Sequence, residues 1–161
     1  MDATALIASP LPIQIHAASA VLALILGTVN LLLPKGTALH KGVGRAWVIT
    51  MVLVAVSSFL ISEIKMFGPY SLIHALSLYT LFGLWQAVSA IRRGNVKAHR
   101  GHMIGLYTGA LILAGAFTLL PGRRMHAVVF ADGGQTAALL AGAMAVIVLL
   151  VVVKKRARLA S

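Results

Sequence analysis

Residues 11–33 read LPIQIHAASAVLALILGTVNLLL, 23 positions without an Asp, Glu, Lys or Arg. At about 1.5 Å per residue a helix of that length measures roughly 35 Å, enough to cross a hydrocarbon layer of about 30 Å. Apolar side chains occupy every face, unlike the one-sided stripe of a soluble surface helix. Pro34-Lys35-Gly36 stops the run. Working outward, the same pattern returns at residues 46–64, 72–91, 103–120 and 136–153, bounded by Phe67-Gly68-Pro69, Arg92-Arg93-Gly94, Pro121-Gly122 and Lys154-Lys155-Arg156. Barrel strands would alternate polar and apolar residues, and these runs do not. The expected fold class is all-α: a polytopic transmembrane helical bundle of five spans forming one domain over residues 1–161. Residues 123–131 are expected to form an interfacial turn or short helix before the fifth span.

Composition agrees. Of the 161 residues, 60% are apolar and 11% charged, where a soluble domain carries roughly 25% charged residues. A chain with so few charges cannot cover a water-facing surface, whereas lipid makes no such demand. The formal net charge of +11 would suggest nucleic acid in a soluble protein. Here the bases sit in short clusters between apolar runs, which points to topology and anionic headgroups and against nucleic acid. With no cysteine, disulfides, thiolate metal sites and iron–sulfur clusters are excluded. The first apolar run lacks a preceding Lys or Arg and is too long for a signal-peptide core, so it reads as a retained helix.

Five spans place the termini on opposite sides. The first loop (Lys35, Lys41, Arg45), the third loop (Arg92, Arg93, Lys97, Arg100) and the tail (Lys154, Lys155, Arg156, Arg158) hold eleven of the 14 basic residues. Lys65, Arg123, Arg124 and all three acids (Asp2, Glu63, Asp132) fall on the other side. The positive-inside rule then puts the N-terminus outside and the C-terminus in the cytoplasm.

An internal repeat is visible. Ile15-His16-Ala17-Ala18-Ser19 returns as Ile73-His74-Ala75-Leu76-Ser77 at an offset of 58, and His40-Lys41-Gly42 as His99-Arg100-Gly101 at 59. Agreement to within one residue implies a duplicated two-helix hairpin, a parallel repeat about the membrane normal. A partial third copy is hinted at by Pro121 and His126, spaced like Pro69 and His74.

This topology sorts the six histidines into two layers, His16, His74 and His126 near the outer face and His40, His99 and His102 near the inner one. His16 and His74 lie inside their apolar runs, where a titratable group is costly and finds a partner. Facing helices that each present an imidazole at one depth can hold a b-type haem. The sharp reading is His16 with His74 for an outer haem and His40 with His99 or His102 for an inner one. Ala17, Ala18, Gly27, Gly83, Gly105 and Gly109 would admit the flat macrocycle, and Arg45 or Arg100 would pair with propionates. The arrangement resembles the cytochrome b561 plan of four helices, each giving one histidine to two haems. The plain alternative is that the imidazoles sit at the headgroups and the chain is a non-catalytic scaffold or assembly subunit. A third reading has His16, His74, His126 and Glu63 binding zinc or copper, although no short ligand motif supports it.

Other residues have packing roles. Gly101, Gly105 and Gly109 form a small-residue stripe suited to helix contact within the bundle, with oligomerisation as the alternative. Trp47, Tyr70 and Tyr107 are expected as interfacial anchors. Trp85 lies deeper, and its indole N–H needs a partner. Gln86 and Asn30 are expected as buried amides that bond across helices or touch a quinone. Arg45 is expected to snorkel to headgroups, and Glu63 to pair with Lys65 or Arg124. There is no nucleophile–base–acid set, no P-loop and no dinucleotide fingerprint, and three acids make hydrolytic acid–base chemistry improbable.

The run at residues 11–33, the segment from His40 through Gly44-Arg45 to Trp47, Phe67-Gly68-Pro69, Ile73-His74 and the segment from His99-Arg100-Gly101-His102 to Tyr107 resemble a bacterial family of multi-pass membrane proteins, domain of unknown function 2306. The resemblance covers roughly residues 10–126. Its most specific parts are His40 with Gly44-Arg45 and His99-Arg100 with His102-Met103. It implies a multi-pass topology and a bacterial inner membrane, and no particular activity. The leading expectation, resting on the two histidine layers and not on the resemblance, is a lipid-embedded b-type haem protein with a redox partner or quinone, with the scaffold as the alternative.

Overall fold

The computed structural model describes residues 4–61, 72–131 and 133–135. Among them every regular element is helical: α1 (Thr4–Ile7), α2 (Leu11–Leu32), α3 (Ala38–Ser58), α4 (Leu72–Arg92), α5 (Val96–Gly105), a π-helical segment (Leu106–Leu113), α6 (Ala114–Phe117) and α7 (Arg124–Phe130). The all-α class is as expected. The chain divides into two compact units, residues 9–117 and residues 1–8 with 118–161.

The larger unit is a four-membered bundle. α2 packs on α3, α3 on α4 and α4 on α5, while the π segment touches both α2 and α4 and closes the ring. α2 and α4 therefore stand on one diagonal, and α3 and the α5–π helix on the other. At the centre Ala23, Trp47, Met51, Leu84, Leu106, Tyr107 and Leu111 form one buried cluster. In the smaller unit α1 packs against α7.

α2 and α3 are long and apolar enough to cross a membrane, and only 11% and 22% of their most apolar windows are buried. A core helix of a soluble protein would be mostly buried, so these proportions suit helices whose outer faces meet lipid. The expected first and third spans coincide with α2 and α4 to within a residue. The second and fourth do not: their helices begin at Ala38 and Val96, seven or eight residues before the apolar runs. Charge ends a hydrocarbon span but not a helix, and both starts are set by side-chain caps. Thr37 accepts from the amide of His40, and Asn95 accepts from that of Ala98 at 3.0 Å. Ahead of each cap stands a glycine with positive φ, Gly36 at 82° and Gly94 at 76°. Glycine and cap both recur at an offset of 58, which carries the repeat into the backbone. The expected fifth span lies outside the described residues. The short helix expected near residues 123–131 is α7.

Candidate functional site

Histidines mark both ends of α3. At its C-terminal end the last turn forms a common wall for two rings. His16 reaches across from α2, with Nδ1 3.0 Å from the carbonyl oxygen of Val54 and 3.2 Å from Ser57 Oγ. A carbonyl can only accept, so Nδ1 carries the proton and Nε2 keeps its lone pair. Ser57 donates its own proton to the Leu53 carbonyl at 2.7 Å. From the other side, His74 of α4 is 6% exposed, and its ring lies 5.8 Å from that of Phe59. Ser58 and Ser77 are hydrogen-bonded to each other, joining α3 to α4 beside His74. Thr50 and Thr80 are buried as well and donate to Ala46 and Leu76 carbonyls. Back-bonding of this kind keeps hydroxyls satisfied where water is scarce.

The opposite end of α3 lies about 25 Å away along the helix. There His99 of α5 donates Nδ1–H to the Ala87 carbonyl of α4 at 2.9 Å, again leaving Nε2 as the lone-pair nitrogen. His40, in the first turn of α3, lies within electrostatic range of Lys35 and His99. Its Nδ1 is buried without a hydrogen-bond partner, and so is Oδ1 of Asn30. Lys35 donates to the Asn30 and Leu31 carbonyls at 2.7 and 2.9 Å, capping α2 with positive charge where the helix dipole is negative. Burial, and then the charge of Arg100, hold the Lys35 ammonium below the usual lysine range. His102 is half-buried on the next turn of α5, and Arg45 is exposed as expected.

The bundle thus brings His16 and His74 against one wall and His40 near His99. His126 belongs to the smaller unit, where it donates Nδ1–H to the Leu119 carbonyl at 2.9 Å and stacks on Phe130 at 4.6 Å. Glu63 and Lys65 lie outside the described residues. Among those described, no group of three or more His, Cys, Asp or Glu converges as a metal site.

Between the two histidine layers several expectations are corrected. Trp47 and Tyr107 are core residues, 4% and 7% exposed, not headgroup anchors. Trp47 donates to the Ala23 carbonyl at 3.0 Å. Thr28 gives its proton to the Leu24 carbonyl, so the Tyr107 hydroxyl, 2.6 Å away, donates to Thr28. Gly27 and Gly83 do not open a slot for a macrocycle. A Cβ on Gly27 would come within 2.5 Å of the Tyr107 ring and 2.7 Å of Trp47 Nε1, and one on Gly83 within 2.9 Å of Leu106. The stripe of Gly101, Gly105 and Gly109 meets no described atom within 4 Å, so it is not a helix contact among the described residues. The π segment that begins at Leu106 turns Leu106, Tyr107 and Leu111 inward instead. Ser57, Ser58 and Ser77 were missed by sequence reasoning. The signal was there in the Ser77 that follows His74 by three positions and in the serine pair ending α3.

A protein-family model described as "Predicted membrane protein (DUF2306)" matches residues 13–155. No curated protein and no solved structure matches the chain.

Proposed function

The chain belongs to the DUF2306 family of predicted membrane proteins and is an integral membrane protein; from that premise we propose that it is a b-type haem protein carrying electrons within or across the bilayer. The observation that supports this best is shared by His16 and His99, at opposite ends of the bundle. Each commits Nδ1–H to a main-chain carbonyl of a neighbouring helix and so presents Nε2 with its lone pair. Metal-ligating imidazoles are held in this way, because the outer hydrogen bond fixes the ring and raises its basicity. His16 and His74 belong to the diagonal helices α2 and α4, and His40 and His99 to α3 and α5, which supports a reading with one imidazole from each helix of a pair and His102 as a second inner candidate. A haem iron between two imidazoles supplies reversible one-electron transfer. The chain's own residues fix the His16 and His99 rings, keep the nearby hydroxyls satisfied and supply the Trp47–Tyr107 core to exclude water. Arg45 and Arg100 are the candidates to neutralise propionates. The histidines in this reading follow a plan like that of cytochrome b561, with a quinone or another redox protein as partner. In this reading five spans cross a bacterial inner membrane, with the N-terminus outside and the C-terminus cytoplasmic.

The runner-up, a non-catalytic scaffold or assembly subunit, draws on the same hydrogen bonds. His16 staples α2 to α3, and His99 staples α4 to α5. The deciding experiment is the colour of protein purified from haem-replete cells. Reduced-minus-oxidised spectra with Soret and α bands, reduced by half in His16→Ala and again in His99→Ala, support two haems. A colourless, folded preparation overturns the proposal in favour of the scaffold. Stoichiometric zinc or copper by elemental analysis would instead favour a metal site involving His16, His74, His126 and Glu63.

A further inference from the structure

α4 buries one side against α3, α5 and the π segment, and leaves the other open. On that open side Leu78, Tyr79, Phe82 and Trp85 are 60, 58, 54 and 63% exposed, and the Phe82 and Trp85 rings stack at 5.8 Å. Their spacing puts them, with Ala75, Gln86 and Ser89, on a single helix face. Leucine and phenylalanine are at ease in lipid. The hydroxyl of Tyr79, the indole N–H of Trp85 and the amide of Gln86 are not, and none of the three has a hydrogen bond among the described residues. α4 has 21 residues, and Trp85 lies about 10 Å inside its Arg92 end. Unpaired N–H and amide groups at that depth are expensive in hydrocarbon and normally find a partner on another helix.

We propose that this α4 face is the interface of a homodimer, in which Trp85 of each copy donates to the Gln86 side chain of the other. The inference rests on α4 lying in the bilayer and not on haem. Two copies inserted in the same sense are related by a twofold axis along the membrane normal, so equal depths meet. A donor and an acceptor in adjacent positions on one face are then complementary to themselves. Of the fifth apolar run, residues 136–153, Thr136 alone carries a side chain able to bond either group, and it stands at the end away from Lys154-Lys155-Arg156. Lipid tails offer nothing better.

The test uses the full chain in native membranes, where the absence of cysteine makes any introduced thiol unambiguous. Leu78→Cys and Phe82→Cys should each give a disulfide-linked dimer under mild oxidation. Ile25→Cys, on the 54% exposed outer face of α2, should stay monomeric. Trp85→Phe, which keeps the ring and removes only the N–H, should weaken dimerisation in nanodiscs or detergent about tenfold, two symmetric membrane hydrogen bonds being lost together. Monomeric Leu78→Cys and Phe82→Cys proteins, equal cross-linking at Ile25→Cys, preferential cross-linking through Gly105→Cys, or an unchanged dimer affinity in Trp85→Phe would each overturn the proposal. None of these readouts depends on bound haem.

Discussion

Gly27→Ala adds one methyl group at the most crowded point of the bundle. That carbon would lie 2.5 Å from both Cδ2 and Cε2 of Tyr107 and 2.7 Å from Trp47 Nε1, far inside contact distance. Neither ring is free to retreat. Trp47 is tied to the Ala23 carbonyl at 3.0 Å, and Tyr107 to Thr28 at 2.6 Å. Overpacking of this kind costs about 1–3 kcal/mol. Displacing a ring far enough to break its hydrogen bond adds roughly 0.6–1.7 kcal/mol in a membrane setting. A loss of about 2–4 kcal/mol is therefore expected, offset by no more than about 1 kcal/mol from the better helix propensity of alanine. Gly109→Ala is the matched control. It lies in the same bundle with no described atom within 4 Å of the new methyl, so it should be neutral or mildly stabilising. Denaturation of the purified protein in mixed micelles, followed by far-ultraviolet circular dichroism and by tryptophan fluorescence, measures both. If Gly27→Ala unfolds with the wild type, or if Gly109→Ala is equally damaging, the assignment of Gly27 as a close-packing position is wrong.

Three other outcomes follow from the structure. Asn95→Ala removes the acceptor for the Ala98 amide and should cost about 1 kcal/mol in the same denaturation assay, with Asn95→Asp retaining most of it; equal stability of Asn95→Ala would refute the cap. Lys35 is held below the usual lysine range by burial and then by Arg100, so the folded chain sheds that proton first as pH rises. Its contribution to stability therefore grows with pH between the folded and the ordinary value. Arg100→Gln should move the pH profile of amine-reactive labelling at Lys35, read by mass spectrometry, to higher pH, and an unmoved profile contradicts the proximity. Finally, Lys41→Cys and Lys97→Cys should label from the same membrane side as a C-terminal reporter; either one labelling from the opposite side overturns the five-span scheme.

Much of the bundle was legible because lipid imposes one simple demand. Long uncharged runs located α2 and α4 almost to the residue, and the repeat that links His16 with His74 and His40 with His99 returns in the backbone as Gly36 and Thr37 matched by Gly94 and Asn95. The starts of α3 and α5 were not legible from hydropathy, because Thr37 and Asn95 initiate helices in the charged segments. Nor did hydropathy distinguish a tryptophan inside from one outside. Trp47 sits near a cluster of charges yet is buried, since Gly27 makes room for it. Trp85 sits mid-run yet is exposed, since α4 turns Leu84 and Ala87 inward instead. The glycine stripe failed for a related reason: a four-residue period marks a helix face without saying which way it points, and here Leu106, Tyr107 and Leu111 turn inward while the glycines meet no described atom within 4 Å.

The π-helical stretch from Leu106 to Leu113 gives the chain a tolerance that its neighbours lack. A wide turn is what remains when a helix absorbs an inserted residue without rotating what lies on either side. Losing one residue there, Thr108 for example, would let the backbone tighten to ordinary α pitch while α5 and α6 kept their bearings. The same deletion in α2 or α3 would swing every following side chain around the axis. Length variation among descendants of this sequence should therefore collect at that stretch between α5 and α6.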